Sequence, residues 1–245
     1  MTCVFKSQRL FVRAPLHEDA RIDAEPGQAN YLLNVLRMKA GEAILLFNGR
    51  DGEWRARIQE AGRKSCMLAV EEQIRSQTLA PDLHYLFAPL KQARLDYMVQ
   101  KAVEMGAGRL CPVITRHTQV NRINMERMQA NAIEAAEQCG VLALPEIEAP
   151  RALPEVLAGW DRSRHLIFCD ESAPSSSAAE TLHAVPRGPT AVLVGPEGGF
   201  SAEERADLLQ RPYVIDVSLG PRILRADTAA VAALALAQAF IGDWR

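Results

Sequence analysis

From residue 83 onward, short apolar runs alternate with segments whose apolar residues recur at helical spacing. "LHYLFAPL" precedes "QARLDYMVQKAVEMG", in which Leu95, Met98, Val99, Ala102 and Val103 share a face and Gly106 is placed to stop the helix. "RLCPVIT" and a helical stretch over 124–139 follow, then "HLIFCD" (165–170) and the polar loop "ESAPSSSAAE" (171–180). "TAVLVG", a helix from Ser201, "YVIDVSL" and a last helix complete the series. Adjacent parallel strands need crossover connections, which helices supply. The alternation therefore predicts an α/β fold with a mainly parallel sheet.

The first 75 residues read differently. "AILLF" (43–47) is a strand, "NGRDGEW" a turn, and "EWRARIQE" alternates Trp54, Ala56 and Ile58 with charged neighbours, as a half-buried strand does. "CMLAVEE" (66–72) is a further strand, and Tyr31, Leu32, Val35, Leu36 and Met38 suit a helical stripe over 28–38. A small barrel-like module over 1–75 is expected, joined through "SQTLAPD" (76–82) to an α/β domain, the second domain spanning 76–245.

Composition excludes several classes. With 28 Lys and Arg against 30 Asp and Glu, the net charge of −2 gives no global case for nucleic acid. Locally, residues 91–127 hold Lys91, Arg94, Lys101, Arg109, Arg116, Arg122 and Arg127 against three acidic groups, an excess suited to an anionic partner or to a solvated helix face. Five scattered cysteines without a C-x-x-C pair, and histidines without ligand spacing, argue against disulfides and against a metal site. The N-terminal stretch lacks the apolar core of a signal peptide. The run from Ala229 to Ile241 is short, Ala-rich and interrupted by Gln238, so it reads as a buried helix and not a membrane span. A cytoplasmic protein is expected.

Two loops carry the chemistry. "LVGPEGGFSAEE" (193–204) runs from a strand through glycines into a helix, as phosphate loops do, but it has neither the Lys-Ser/Thr of a Walker loop nor G-x-G-x-x-G. Pro196 removes a backbone donor, Glu197 adds a negative charge, and Ser201 with Glu204 forms a capping box that occupies the helix's own first amides. "VSLGPRILRADTAA" (217–230) repeats the pattern of strand, Gly-Pro and helix. Side by side at the carboxyl ends of their strands, the two loops would frame a cleft for a flat heterocycle without phosphates, neutral or cationic.

These two loops resemble those of the knotted SPOUT methyltransferases, and most closely the RsmE family of 16S ribosomal RNA uridine N3-methyltransferases. Similarity covers nearly the whole chain: "LLNVLRMKAGEAILLFNG" is similar to that family's PUA-like N-terminal domain, and "APLKQARLDYMVQKAVEMGA", "CPVITRHTQ" and "AIEAAEQC" follow in its order. The chain departs from the family in "EMGA" where "ELGV" is usual, in Val141 near a common Arg, and in Asp227 where Glu is usual.

The resemblance implies a SPOUT-type domain with a deep trefoil knot, a PUA-like β-barrel that binds RNA, a homodimer, and S-adenosylmethionine as methyl donor without a metal. It implies a cofactor site of Leu193, Val194, Gly195, Pro196, Glu197, Gly198, Gly199, Ser218, Leu219, Gly220, Ile223, Leu224 and Thr228. Arg225 is the first catalytic candidate, to orient the uracil or steady charge as N3 loses its proton. An arginine at a helix end serves equally well to bond a carboxylate. Glu197 is the second candidate, facing the cofactor's cationic part or accepting a proton. Arg37, Lys91, Arg94 and Arg116 are the expected contacts to 16S ribosomal RNA of the small subunit. Another RNA target, transfer RNA or 23S ribosomal RNA, and a non-catalytic RNA-binding protein are the alternatives.

Overall fold

In the computed structural model, residues 7–62, 65–120, 122–173 and 178–244 are described, and they divide into two compact units. One comprises the chain up to Leu79 together with Ala136–Ala143; the other comprises Ala80–Ala135 and the chain from Leu144.

The first unit is a five-stranded sheet. Its strands are β1 (Arg9–Phe11), β2 (Arg21–Asp23), β3 (Ala43–Phe47), β4 (Glu53–Ala61) and β5 (Cys66–Arg75), in the order β1-β3-β4-β5-β2. Only the β1–β3 pair is parallel. The alternation read in the sequence places Ala56 and Ile58 in the core, with Trp54 packed against it. The stretch 28–38 is not one regular helix. A short helix α1 (Pro26–Asn30), started by Pro26 and a Glu25–Gln28 capping box, passes into a wider π-helical turn over Tyr31–Val35, closed by Leu36 N–H on the Tyr31 carbonyl at 2.9 Å. The wider turn sets Leu32 fully inside and leaves Val35 61% exposed, so Val35 leaves the expected stripe.

A buried carboxylate organises one edge of this unit. Glu53 is 3% exposed and receives Arg9 Nε at 2.6 Å and Arg75 Nε at 2.7 Å. The same guanidinium groups donate onward to the last carbonyls of helix α3 (Met125–Cys139) and the turn after it: Arg9 to Ala136, to Glu137 at 3.1 Å and to Val141 at 3.0 Å, and Arg75 to Gly140 at 2.9 Å. Cations and N–H donors thus meet the negative end of the helix dipole, and residues 136–143 join the first unit.

The second unit carries β6 (Leu83–Phe87), α2 (Gln92–Glu104), β7 (Arg109–Ile114) and the start of α3. Then come β8 (Glu146–Ile147), β9 (Arg151–Ala152), α4 (Leu153–Ala158), β10 (His165–Cys169), α5 (Ala178–His183), β11 (Thr190–Val194), α6 (Ala202–Leu209), β12 (Val214–Val217) and α7 (Ala226–Phe240). The sheet runs β12-β10-β11-β6-β7-β8 with every pairing parallel, and β9 adds a parallel bridge to β7. Leu86, Phe168, Leu193 and Ala191 form one core layer with Leu157 of α4 and Leu208 of α6. Tyr85 points the other way, its hydroxyl 3.1 Å from Met98 Sδ of α2. Gln238, the polar break in the last helix, is buried and ties α7 to the end of α2 through the Met105 carbonyl at 2.7 Å. Among the described residues, no helix is long and apolar enough to cross a membrane.

Candidate functional site

The segments leaving β10, β11 and β12 line one cleft of about 440 Å³ at the carboxyl edge of the parallel sheet. Its walls are Cys169–Ala173 after β10, Val194–Glu197 with Gly199 and Phe200 after β11, Ser218–Ala226 after β12, and Arg205 and Ala229 from α6 and α7. The strand order explains the place. Because β10 and β12 lie on one side of β11 and β6 and β7 on the other, the connections diverge there and leave a crevice.

Eleven of the residues expected at the cofactor or the chemistry stand on this wall: Val194, Gly195, Pro196, Glu197, Gly199, Ser218, Leu219, Gly220, Ile223, Leu224 and Arg225. Leu193 is one residue deeper, wholly buried in the core layer; Gly198 faces His117; and Thr228 is exposed on the first turn of α7 outside the lining. Arg225 is the residue at which α7 begins, exposed, with no ion pair among the described residues. Of the four expected RNA contacts, Lys91 is exposed at the start of α2, and Arg94 forms an ion pair with Glu197, so these two expectations meet in one bond. Arg116 is exposed, and its backbone N–H donates to Glu204 at 2.8 Å. Arg37 belongs to the first unit, exposed, in a left-handed backbone conformation with φ 58°.

The glycine loop is braced rather than free. The capping box forms, with Glu204 N–H on Ser201 Oγ at 3.2 Å and Ser201 N–H on Glu204 Oε2 at 2.9 Å, so the first turn of α6 is engaged by its own side chains. His117, in the turn after β7, donates from Nδ1 to the Gly198 carbonyl at 2.9 Å. Gly199 has φ 65°, and a Cβ there would sit 2.6 Å from Glu171 Oε1. Phe200 folds back on Gly195, where a Cβ would meet the ring at 2.5 Å, and stacks edge-on against Phe168. Gly195 is demanded by the Phe200 ring and Gly199 by its left-handed backbone, a Cβ at Gly199 meeting the movable end of the Glu171 side chain.

Charge in the cleft is mixed. Asp170, 5% exposed, accepts Arg205 Nε at 2.5 Å and Ser172 N–H at 2.9 Å. Beside it, burial and then the Asp170 charge push the Asp216 carboxyl up, and its Oδ1 is buried without a hydrogen-bond partner among the described residues. Burial, reinforced by Asp216, pushes the Cys169 thiol up to about 12, so it offers no thiolate nucleophile near neutral pH. No lysine enters the lining, and no cluster of three or more side chains able to hold a metal ion occurs among the described residues. Sequence reasoning missed Asp170, Glu171, Arg205 and His117. They lie on the β10 and β7 turns and inside α6, away from the glycine signals, and only the sheet order assembles them.

Fold and cleft together define an open α/β ligand-binding protein with an appended β-sheet unit. Two family models match the chain, an RNA methyltransferase domain over residues 78–238 and an RNA methyltransferase PUA domain over 25–71. Ribosomal RNA small subunit methyltransferase E of Rickettsia conorii is 31% identical over 232 residues, covering 94% of each chain. The crystal structure of that enzyme from Neisseria gonorrhoeae, bound to S-adenosyl methionine, superposes with a TM-score of 0.86 at 27% identity, covering 98% of this chain and 100% of that one. A Legionella pneumophila methyltransferase with bound SAM gives 0.83 at 29% identity, covering 96% and 98%. The chain belongs to the ribosomal RNA small subunit methyltransferase E family.

Proposed function

We propose that this protein transfers the methyl group of S-adenosylmethionine to N3 of a uridine in 16S ribosomal RNA. The observation that carries the reading is the convergence of both Gly-Pro loops on one cleft that offers backbone groups and apolar walls but no phosphate-binding lysine. An adenosine bearing a sulfonium instead of phosphates fits that donor set. Val194, Gly195, Leu219 and Leu224 would hold it, with Gly199 allowing close approach. When bound, S-adenosylmethionine supplies an activated methyl group. The chain's own tasks are to orient the base and to manage loss of the N3 proton.

Arg225, exposed at the cleft and without an ion pair among the described residues, presents the uracil carbonyls with a planar donor fork and steadies negative charge as N3 is deprotonated. Glu197 stands at the same rim, held by Arg94, as the candidate proton acceptor. N3 lies on the pairing edge, so the uridine must be unpaired when it enters. Lys91, Arg94 and Arg116 in the second domain, and Arg37 in the first, are the proposed phosphate contacts. The remaining family traits belong to the same proposal: domains over 1–75 and 76–245, a barrel-shaped PUA module, a trefoil knot through the cofactor loops, a homodimer and a cytoplasmic location. Support for the dimer comes from Ile223, an apolar side chain 91% exposed on a cleft loop.

Mass spectrometry of ribosomal RNA from a deletion strain tests the function. A single 16S uridine should lose its N3 methyl group and regain it on complementation. Loss of a methyl group from transfer RNA or 23S ribosomal RNA instead would redirect the reading to another target.

A further inference from the structure

The cleft holds one cation that is both anchored and open. Arg205 lies on α6 with its side chain 34% exposed and its Nε fixed to Asp170 at 2.5 Å. Both Asp170 oxygens are occupied, one by Arg205 and the other by the Ser172 amide, so the carboxylate is locked and holds the guanidinium in one orientation. The two Nη groups of Arg205 have no partner among the described residues, and the side chain lines the cleft. Arg222 and Arg225 also line it, but they are exposed on the loop after β12 and no ion pair among the described residues fixes them. Of the acidic groups on the wall, Asp170 is paired with Arg205 and Glu197 with Arg94, which leaves Glu171 without an ion pair among the described residues. Unengaged charge of both signs therefore faces the cavity.

We infer that Arg205, oriented by Asp170, is the specificity residue that takes the α-carboxylate of the methionyl part of S-adenosylmethionine. This rests on the proposed function. A carboxylate matches the two remaining donors of a guanidinium already anchored at Nε, and preorganisation spares the entropy of fixing a long side chain on binding. Glu171 is the complementary group for the α-ammonium of the same zwitterion. Asp216 lies near this pair, its carboxyl pushed up by burial and by the Asp170 charge and drawn down by Arg205, but Arg205 makes its ion pair with Asp170. An RNA phosphate is the poorer match, because Arg205 is half-buried at a site anchored on an almost wholly buried aspartate.

Calorimetry on the full chain tests this with two ligands. One is S-adenosylmethionine; the other is its decarboxylated analogue, which keeps the adenosine, sulfonium and ammonium. Wild type should bind the analogue about 10- to 100-fold more weakly, the range for hydrogen bonds to a charged group. Arg205→Ala should weaken S-adenosylmethionine by a similar factor and leave the analogue nearly unchanged, so the preference collapses. Arg205→Lys keeps a cation for Asp170 but loses the fork, and it should lose most of the preference while remaining folded. Equal wild-type affinities, or a variant that weakens both ligands alike, would overturn the assignment, as would loss of RNA affinity alone. If wild type bound neither ligand, the methyltransferase reading itself would fall; equal tight binding of both would leave that reading standing and remove only Arg205's role.

Discussion

His117 holds Gly198: its Nδ1 donates to the glycine carbonyl at 2.9 Å, joining the turn after β7 to the loop after β11. The carbonyl can only accept, so Nδ1 carries the hydrogen. His117 is exposed, and its loss leaves no buried cavity. His117→Ala should therefore keep the fold and loosen the loop, weakening S-adenosylmethionine by about 5-fold, the worth of one net hydrogen bond. Paired calorimetry and thermal melts check this. An unchanged affinity would show that the loop keeps its shape without the brace.

Gly199 meets two constraints at once, a left-handed φ of 65° and a Cβ position 2.6 Å from Glu171 Oε1. Gly199→Ala should cost on the order of 1 kcal/mol of backbone strain and also displace Glu171 from the cleft, so cofactor affinity should fall tenfold or more. Gly188→Ala, where a Cβ meets nothing within 4 Å, is the control and should bind normally. Equal affinity in both variants would take Gly199 out of the site.

Periodicity carried the sheets. Ala56 and Ile58 sit inside because a period of two leaves them no other face, and β6, β7, β10, β11 and β12 lie where apolar runs stand between helical segments. The two Gly-Pro loops were legible because glycine, proline and the Ser201–Glu204 box act locally. What escaped was non-local. Glu53 looks like a surface residue at a strand start until Arg9 and Arg75 close over it, and Asp170 reaches Arg205 across 35 residues. The π-helical turn at Tyr31–Val35 follows from core contacts of Leu32 that no spacing rule encodes.

Arg225 and Arg37 divide binding from chemistry. If Arg225 steadies charge at N3, Arg225→Ala should lower the rate at saturating substrate by about 100-fold with little change in S-adenosylmethionine affinity. Arg37→Ala, in the first unit, should weaken RNA binding, flatten its salt dependence by about one charge, and leave the saturated rate nearly intact. Steady-state kinetics over a salt series measure both. Turnover lost with Arg37 and RNA affinity lost with Arg225 would reverse the assignment.

Stability should depend on acid through Glu53. Burial opposes its charge, but hydrogen bonds from Arg75 and Arg9 outweigh that and hold the carboxyl below its ordinary value of 4.5. A carboxyl with a depressed folded pKa binds fewer protons folded than unfolded, so its contribution is complete above 4.5 and disappears as pH falls through the lower folded value. Glu53→Gln removes the charge and leaves two guanidinium groups facing a neutral amide, at a cost on the order of 3 kcal/mol near neutral pH. Denaturant melts should show that gap at about pH 7 and a gap that narrows as pH falls below 4.5, because the unfolded carboxyl then takes up a proton that the folded one, held lower, does not. The last turn of α3 loses part of its cap in the variant, so amide exchange should rise at residues 136–141 first. A gap that stayed constant down to about pH 3 would mean that the two arginines value Glu53 for its shape and not for its charge.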